Sequence, residues 1–256
     1  MTHQEIKVSD EAHGVRRITI DRPDKRNALT RPMMQALGDA VLEAEADPLV
    51  RVVLLDSTGQ TFCAGADLDG LAGDPLTAEV DPGHRYLLAL AAAEKPLVAA
   101  VQGGTVGMGV TMLPHFDLVF ASPRASFRTP FIDLGLTPEG GSTVLFPAMM
   151  GRGRASVLLM LGEAVSAEQA LAGGLVTEVV APDALAGRAA GAAHALASKP
   201  PQALRLTKRM MGDADLLQIM EEEQTVFRSR LTTDEFREAV EALRRKIKTS
   251  AKHTAS

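Results

Sequence analysis

The residue with the clearest capacity for chemistry is also the most isolated. Glu139 stands in TPEGGSTVLFPAMMG (residues 137–151), directly before a Gly-Gly pair, and nothing else between Asp133 and Arg152 is charged. A carboxyl group in apolar surroundings has a raised pKa and is a stronger base once ionised. The same residue could instead cap a helix beginning at Gly140 or pair with a distant arginine, since acids favour helix N-termini. Two glycine-bearing stretches offer a complementary chemistry, DSTGQTFCAGADLDGL (residues 56–71) and AVQGGTVGMGVTML (residues 100–113). Each follows an apolar run. Glycines there let backbone N–H groups approach a ligand, and two N–H groups aimed at one point make an oxyanion hole. Close strand–helix packing would use the same glycines. A dinucleotide turn does not fit, because Gly104, Gly107 and Gly109 read G-x-x-G-x-G and lie in mid-chain.

Other constellations are weaker. Ser142 lacks the G-x-S-x-G context of an elbow nucleophile, and no G-x-x-x-x-G-K-[ST] occurs. His115 and Asp117 form an H-x-D, but the six histidines are scattered without metal-ligand spacing. Cys63, among small residues, reads as packing rather than as a nucleophile. Arg22, Lys25 and Arg26 could hold a phosphate or simply solvate a turn. Arg244, Arg245, Lys246 and Lys248 could do no more than complement the dipole of a last helical turn.

The elements that must position these residues alternate. VRRITI (residues 15–20), VRVVLLDS (50–57), KPLVAAVQGG (95–104) and DLVFAS (117–122) read as strands, the middle ones buried on both faces. Thr30 is a plausible N-cap with Pro32 in the first turn, and Met34, Leu37 and Val41 mark one face of that helix. A further helix is expected around residues 85–94. After about residue 180 the strands stop: Leu185, Ala189, Ala192 and Leu196 share a helical face, as do Phe236, Val240, Leu243 and Ile247. Pro200 and Pro201 open a new helix between them. The expectation is an α/β core over residues 1–198, followed by a helical oligomerisation or ligand-covering region over residues 199–256.

Composition narrows the partners. The 256 residues carry a formal net charge of -5, no tryptophan and one tyrosine, which argues against a nucleic-acid backbone as main partner. One cysteine excludes an internal disulfide framework and fits a reducing compartment. The N-terminus lacks a signal pattern, the C-terminus lacks a Ser-Lys-Leu address, and Glu94, Lys95 and Pro96 interrupt the most apolar run too early for a membrane span. A cytoplasmic protein is expected.

DRPDKRNAL, GQTFCAGADL, AVQGGTVGMGVTMLPHFDLVFAS, FRTPFIDLGLTPEGG and ALAGGLVTEVV occur in that order over nearly the whole chain. Together they resemble the crotonase family, the enoyl-CoA hydratases and isomerases. The resemblance implies a crotonase-type spiral of ββα units with a helical C-terminal region, assembled as a homotrimer or homohexamer. It implies acyl-CoA thioester ligands, with CoA as part of the substrate and no separate cofactor. It implies that the N–H groups of Ala66 and of Met108, the middle of Gly107-Met108-Gly109, hold the thioester oxygen. Lys25, Arg26 and Ala28 would meet CoA phosphates, while Ala64, Asp67 and Leu68 would lie near the adenine and pantetheine. Where the family's hydratases carry two glutamates, this chain has Thr111 and Phe131. Glu139 instead matches the catalytic glutamate of peroxisomal-type Δ3,Δ2-enoyl-CoA isomerases, so the resemblance implies an isomerase of fatty acid β-oxidation. Another acyl-CoA reaction on the same scaffold, such as hydration or dehalogenation using Asp67, Asp133 or a less obvious group, and a non-catalytic acyl-CoA-binding protein are the alternatives.

Overall fold

The apolar runs pair in parallel. In this computed structural model, which describes residues 4–67 and 81–254 with side chains as far as residue 245, Ile6–Glu11 (β1), Val15–Ile20 (β2), Val52–Ser57 (β3), Leu97–Val101 (β4), Leu118–Ala121 (β6) and Glu178–Val179 (β9) form one six-stranded sheet. Its order is β1-β2-β3-β4-β6-β9, antiparallel between β1 and β2 and parallel thereafter. The parallel strands are covered on both faces, which is why they read as continuous rather than alternating apolar runs. Val53, Leu55, Leu97 and Ala99 face the larger core with helices Arg31–Ala46 (α1) and Pro82–Ala91 (α2). Val52, Leu54, Val98 and Ala100 face a second core, where Leu185, Ala189 and Ala192 pack from a later helix, Leu185–Ala197 (α6).

A small second sheet joins Gly104–Val106 (β5), Ser126–Arg128 (β7) and Val165–Ser166 (β8) in the order β5-β7-β8. The remaining helices are Met108–Thr111 (α3), Ser142–Leu159 (α4), Ala167–Ala172 (α5), Pro201–Met211 (α7), Leu216–Arg230 (α8) and Asp234–Thr254 (α9), making nine α-helices among the described residues. Thr30 caps α1 by accepting from the Met33 N–H, and Pro32 sits in its first turn. Pro201 opens α7. Among the described residues no helix is long and apolar enough to cross a membrane.

The sequence reading overlooks five strands. β5, β7, β8 and β9 are two or three residues long. β1 is an edge strand in which Ile6 alone is fully buried, so its hydrophobic alternation is faint.

Candidate active site

Glu139 is buried at 7% exposure, and no lysine or arginine pairs with it among the described residues. Burial pushes its carboxyl pKa up from an ordinary 4.5 to about 8, and the nearby Asp81 and Glu223 carboxylates push in the same direction. The Thr111 hydroxyl, hydrogen-bonded to the carboxyl, pulls the other way. The helix does not begin at Gly140. It begins at Ser142, with Gly140 and Gly141 both at positive φ, +71° and +74°. These backbone angles are the reason for the Gly-Gly pair, since residues with a Cβ rarely adopt them. Glu139 therefore does not use its side chain as the cap; its carbonyl accepts from the Ser142 hydroxyl at 2.6 Å. His115, buried and held neutral by a pKa lowered to about 4, donates Nε2–H to the Gly140 carbonyl at 3.0 Å.

The two glycine loops lie against each other. Cys63 and Thr105 form a parallel bridge, and the Val106 N–H donates to the Cys63 carbonyl at 2.9 Å. Gly65 sits at φ +83°, where an added Cβ would come within 2.8 Å of the Val106 carbonyl oxygen. Gly107 has φ +55° and ψ -121°, a combination open essentially to glycine. The bridge from Leu29 to Ala66 uses the peptide groups flanking Ala66: Leu29 N–H donates to the Gly65 carbonyl, and Asp67 N–H to the Leu29 carbonyl. The Ala66 N–H thus points away from that strand. Met108 is the first residue of α3, whose Val110 and Thr111 N–H groups both donate to the Gly107 carbonyl. First-turn N–H groups such as that of Met108 have no partner inside the helix. Gly109 packs on Cys63, with an added Cβ only 2.9 Å from the cysteine Cβ. Cys63 is buried, and desolvation raises its thiol pKa to about 12, so it is a packing residue.

Ala66, Met108 and Glu139 line one cavity of about 1050 Å³, counting its mouth. Ala64, Asp67, Gly107 and Phe131 line it too, and its far wall is apolar, with Leu134, Leu136, Phe227 and Leu231. Arg31, Asp67 and Asp81 are its other charged lining residues. Asp67 is held by Arg22 at 2.7 Å. Asp81 is committed to capping α2, accepting from the Gly83 N–H at 2.9 Å.

Lys25 and Arg26 are exposed on a turn fixed by buried Asn27, whose amide donates to the Thr58 and Thr61 carbonyls at 2.8 Å each. The turn is tied to the cavity mouth, because Ala64 N–H donates to the Arg26 carbonyl and Ala28 accepts from Arg22. Leu68 lies outside the described residues. Asp133 is not part of the site: it is 47% exposed and pairs with Arg128 at 2.8 Å, and it does not line the cavity. His115 and Asp117 do not act together either, since Asp117 accepts from the Leu97 N–H and Lys208. Among the described residues no group of three or more His, Cys, Asp or Glu could hold a metal ion.

Asp81 and Glu223 are the site-framing residues that sequence reasoning misses. Asp81 precedes Pro82 as a cap signal would, and Glu223 hides in the acidic run 221–223, which reads as a solvated face.

The sequence profile of the family described as enoyl-CoA hydratase/isomerase matches residues 10–252. The chain is 34% identical over 239 residues to enoyl-CoA delta isomerase 2 of Rattus norvegicus, covering 90% of this chain and 61% of the rat protein. It is 35% identical over 218 residues to 1,2-epoxyphenylacetyl-CoA isomerase of Escherichia coli (strain K12), covering 82% of this chain and 83% of that one. It is 32% identical to a probable enoyl-CoA hydratase of Rhizobium meliloti (strain 1021), covering 92% of this chain and 93% of that one. The crystal structure of an enoyl-CoA hydratase/isomerase from Pseudoalteromonas atlantica superposes with a TM-score of 0.90 at 36% identity, covering 95% of this chain and 98% of the other. The chain thus spans about 61% of the rat relative's length.

Proposed function

The chain belongs to the enoyl-CoA hydratase/isomerase family, and from that premise we propose that it is a Δ3,Δ2-enoyl-CoA isomerase. The observation that carries this is Glu139, a buried carboxyl with raised basicity in a cavity wall that also presents the Ala66 and Met108 backbone. Moving a double bond from C3 to C2 needs a proton removed at C2 and one returned at C4. One carboxylate lying across both carbons does both jobs. The dienolate between the two steps carries its negative charge on the thioester oxygen, which the Ala66 and Met108 N–H groups hold; losing one such donor typically raises a barrier by ~3–4 kcal/mol.

Hydration asks for more, a water activated and a proton supplied in concert, which commonly takes two acid–base groups. Thr111 touches the Glu139 carboxyl and Phe131 is an apolar part of the wall, so neither hydratase position supplies an acid. Asp67 and Asp81 are engaged by Arg22 and by the α2 N-terminus. The scheme uses no metal or redox cofactor, and CoA enters with the substrate. Lys25 and Arg26 meet the CoA phosphates beside Ala28, and Ala64 and Asp67 flank the pantetheine. The acyl chain enters the apolar end, as an unsaturated fatty acyl group bound for β-oxidation would.

The test is to offer the protein 3-enoyl-CoA and 2-enoyl-CoA separately. An isomerase builds ultraviolet absorbance of the conjugated thioester from the first, whereas a hydratase destroys it in the second. Tight binding with neither change would identify an acyl-CoA-binding protein.

A further inference from the structure

Helix α8 places two adjacent side chains on the two elements that frame Glu139. Glu223, at 9% exposure, accepts through Oε2 from the Gly141 N–H at 2.6 Å. Its Oε1 accepts from the Thr143 N–H at 3.0 Å and from the Thr143 hydroxyl at 2.5 Å. These are donors of the first turn of α4, whose own N-cap residue, Gly141, has no side chain to satisfy them. A residue 82 positions away therefore caps α4. Next to it, Gln224 Nε2 lies 3.4 Å from the second oxygen of Asp81, the α2 cap.

The peptide joining Gly140 to Gly141 is pinned at both ends. His115 Nε2–H holds its carbonyl at 3.0 Å, and Glu223 holds its N–H at 2.6 Å. Gly140 directly follows Glu139, and both glycines of that peptide are in left-handed conformations that have no intrinsic stiffness. The Thr111 hydroxyl holds the Glu139 carboxyl and Ser142 holds its carbonyl; the two anchors fix the flexible backbone that follows.

We propose that Glu223 is a positioning residue for Glu139: it clamps the 140–141 peptide against His115 and, with Asp81, supplies the negative charge that faces the Glu139 carboxyl. The inference rests on the reading of Glu139 as the proton shuttle. Glu223 receives hydrogen bonds on both oxygens, the pattern of a carboxylate, and the α4 N-terminus favours its charge. The groups around Glu139 are Asp81 from α2, Glu223 from α8, the Thr111 hydroxyl from α3 and neutral His115 from the turn at Leu113–His115. Arg31 of α1 and Asp67, held by Arg22, line the same cavity, and His84 of α2 lies 3.1 Å from Glu221 of α8. The two carboxylates raise the Glu139 pKa beyond what burial does alone.

The experiment is a carboxyl-carbon NMR titration of the whole protein with 13C-labelled glutamate side chains, the Glu139 signal being assigned by its loss in Glu139→Gln. The wild-type midpoint is expected near 8. Glu223→Gln keeps an acceptor for one N–H but loses the charge, so the Glu139 midpoint should fall below that of wild type. In turnover the same variant should lose kcat by about tenfold, with KM within about twofold of wild type. Glu223→Asp, which keeps the charge and shortens the reach, should leave the midpoint in place and lower kcat at least about fivefold; it serves as the test if the glutamine variant does not fold. A lower Tm in either variant with the midpoint and kcat of wild type would reduce Glu223 to a helix cap and overturn the inference. The titration needs no turnover, so a wild-type protein inactive on 3-enoyl-CoA would defeat the isomerase reading separately, and a wild-type midpoint near 4.5 would defeat this one.

Discussion

Glu139 couples activity and stability in opposite directions. Its folded-state pKa of about 8 stands above its ordinary 4.5, so the folded chain holds a proton that the unfolded chain releases. The corresponding stability is fully present below about pH 4.5 and drains away as pH rises through 8, on the order of 5 kcal/mol in all. Glu139→Gln should abolish this slope and melt higher than wild type at pH 8, measured by thermal unfolding across pH 5–9, while losing about 10²–10⁴-fold in kcat. The wild-type rate should itself rise with pH on a limb centred near 8. Gly107→Ala tests the other half of the site. At φ +55° and ψ -121° an alanine costs about 1–3 kcal/mol of strain or turns the Met108 N–H aside. Steady-state kinetics should show kcat down about 10²-fold. The isolation of Glu139 and the glycines around Met108 are legible in the sequence because each is a local anomaly. The roles of Asp81, His115 and Glu223 are not, since each depends on a partner brought near by folding; His115 and Gly140 are 25 residues apart.

At the scale of elements, the buried parallel strands and α1 are legible because packing on both faces, or on one helical face, leaves its period in the sequence. The join between α7 and the core is not. Lys208 of α7 donates to the Lys95 carbonyl at 3.0 Å and to Asp117 at 2.8 Å, while the buried Lys95 ammonium donates to the Ala44 and Asp47 carbonyls at the C-terminal end of α1. Lys95 read as an interruption of an apolar run, yet its charge is placed where the α1 dipole is negative. Lys95→Met leaves those carbonyls without their donor and should cost about 1–3 kcal/mol in denaturant unfolding. Because this junction does not line the cavity, kcat/KM should stay within about twofold of wild type.

At the scale of the whole molecule, the cavity is a convergence of distant segments. Leu29 with the start of α1, both glycine loops, the start of α2, the turn at Ile132–Leu134 and residues of α8 and α9 all border it. The C-terminal helices are therefore part of the site wall: Phe227 of α8, Leu231 at its C-terminal cap and Leu243 of α9 line it, and Phe236 and Val240 pack with Phe131. The outer surface exposes Met160, Leu161, Met210 and Met211 at 59–84%. The homotrimer or homohexamer that the family resemblance implies would cover some of these side chains, and sedimentation should then give three or six times 27.1 kDa. A monomer at micromolar concentration would remove this part of the proposal.

One comparison isolates the role of Glu139: the conversion of a trans-3-enoyl-CoA to its conjugated 2-enoyl isomer by wild type and by Glu139→Gln under the same conditions. Wild type should turn over rapidly and the variant should lose about 10²–10⁴-fold, with the thioester still bound. Equal turnover by the two proteins would contradict that role and remove Glu139 as the base.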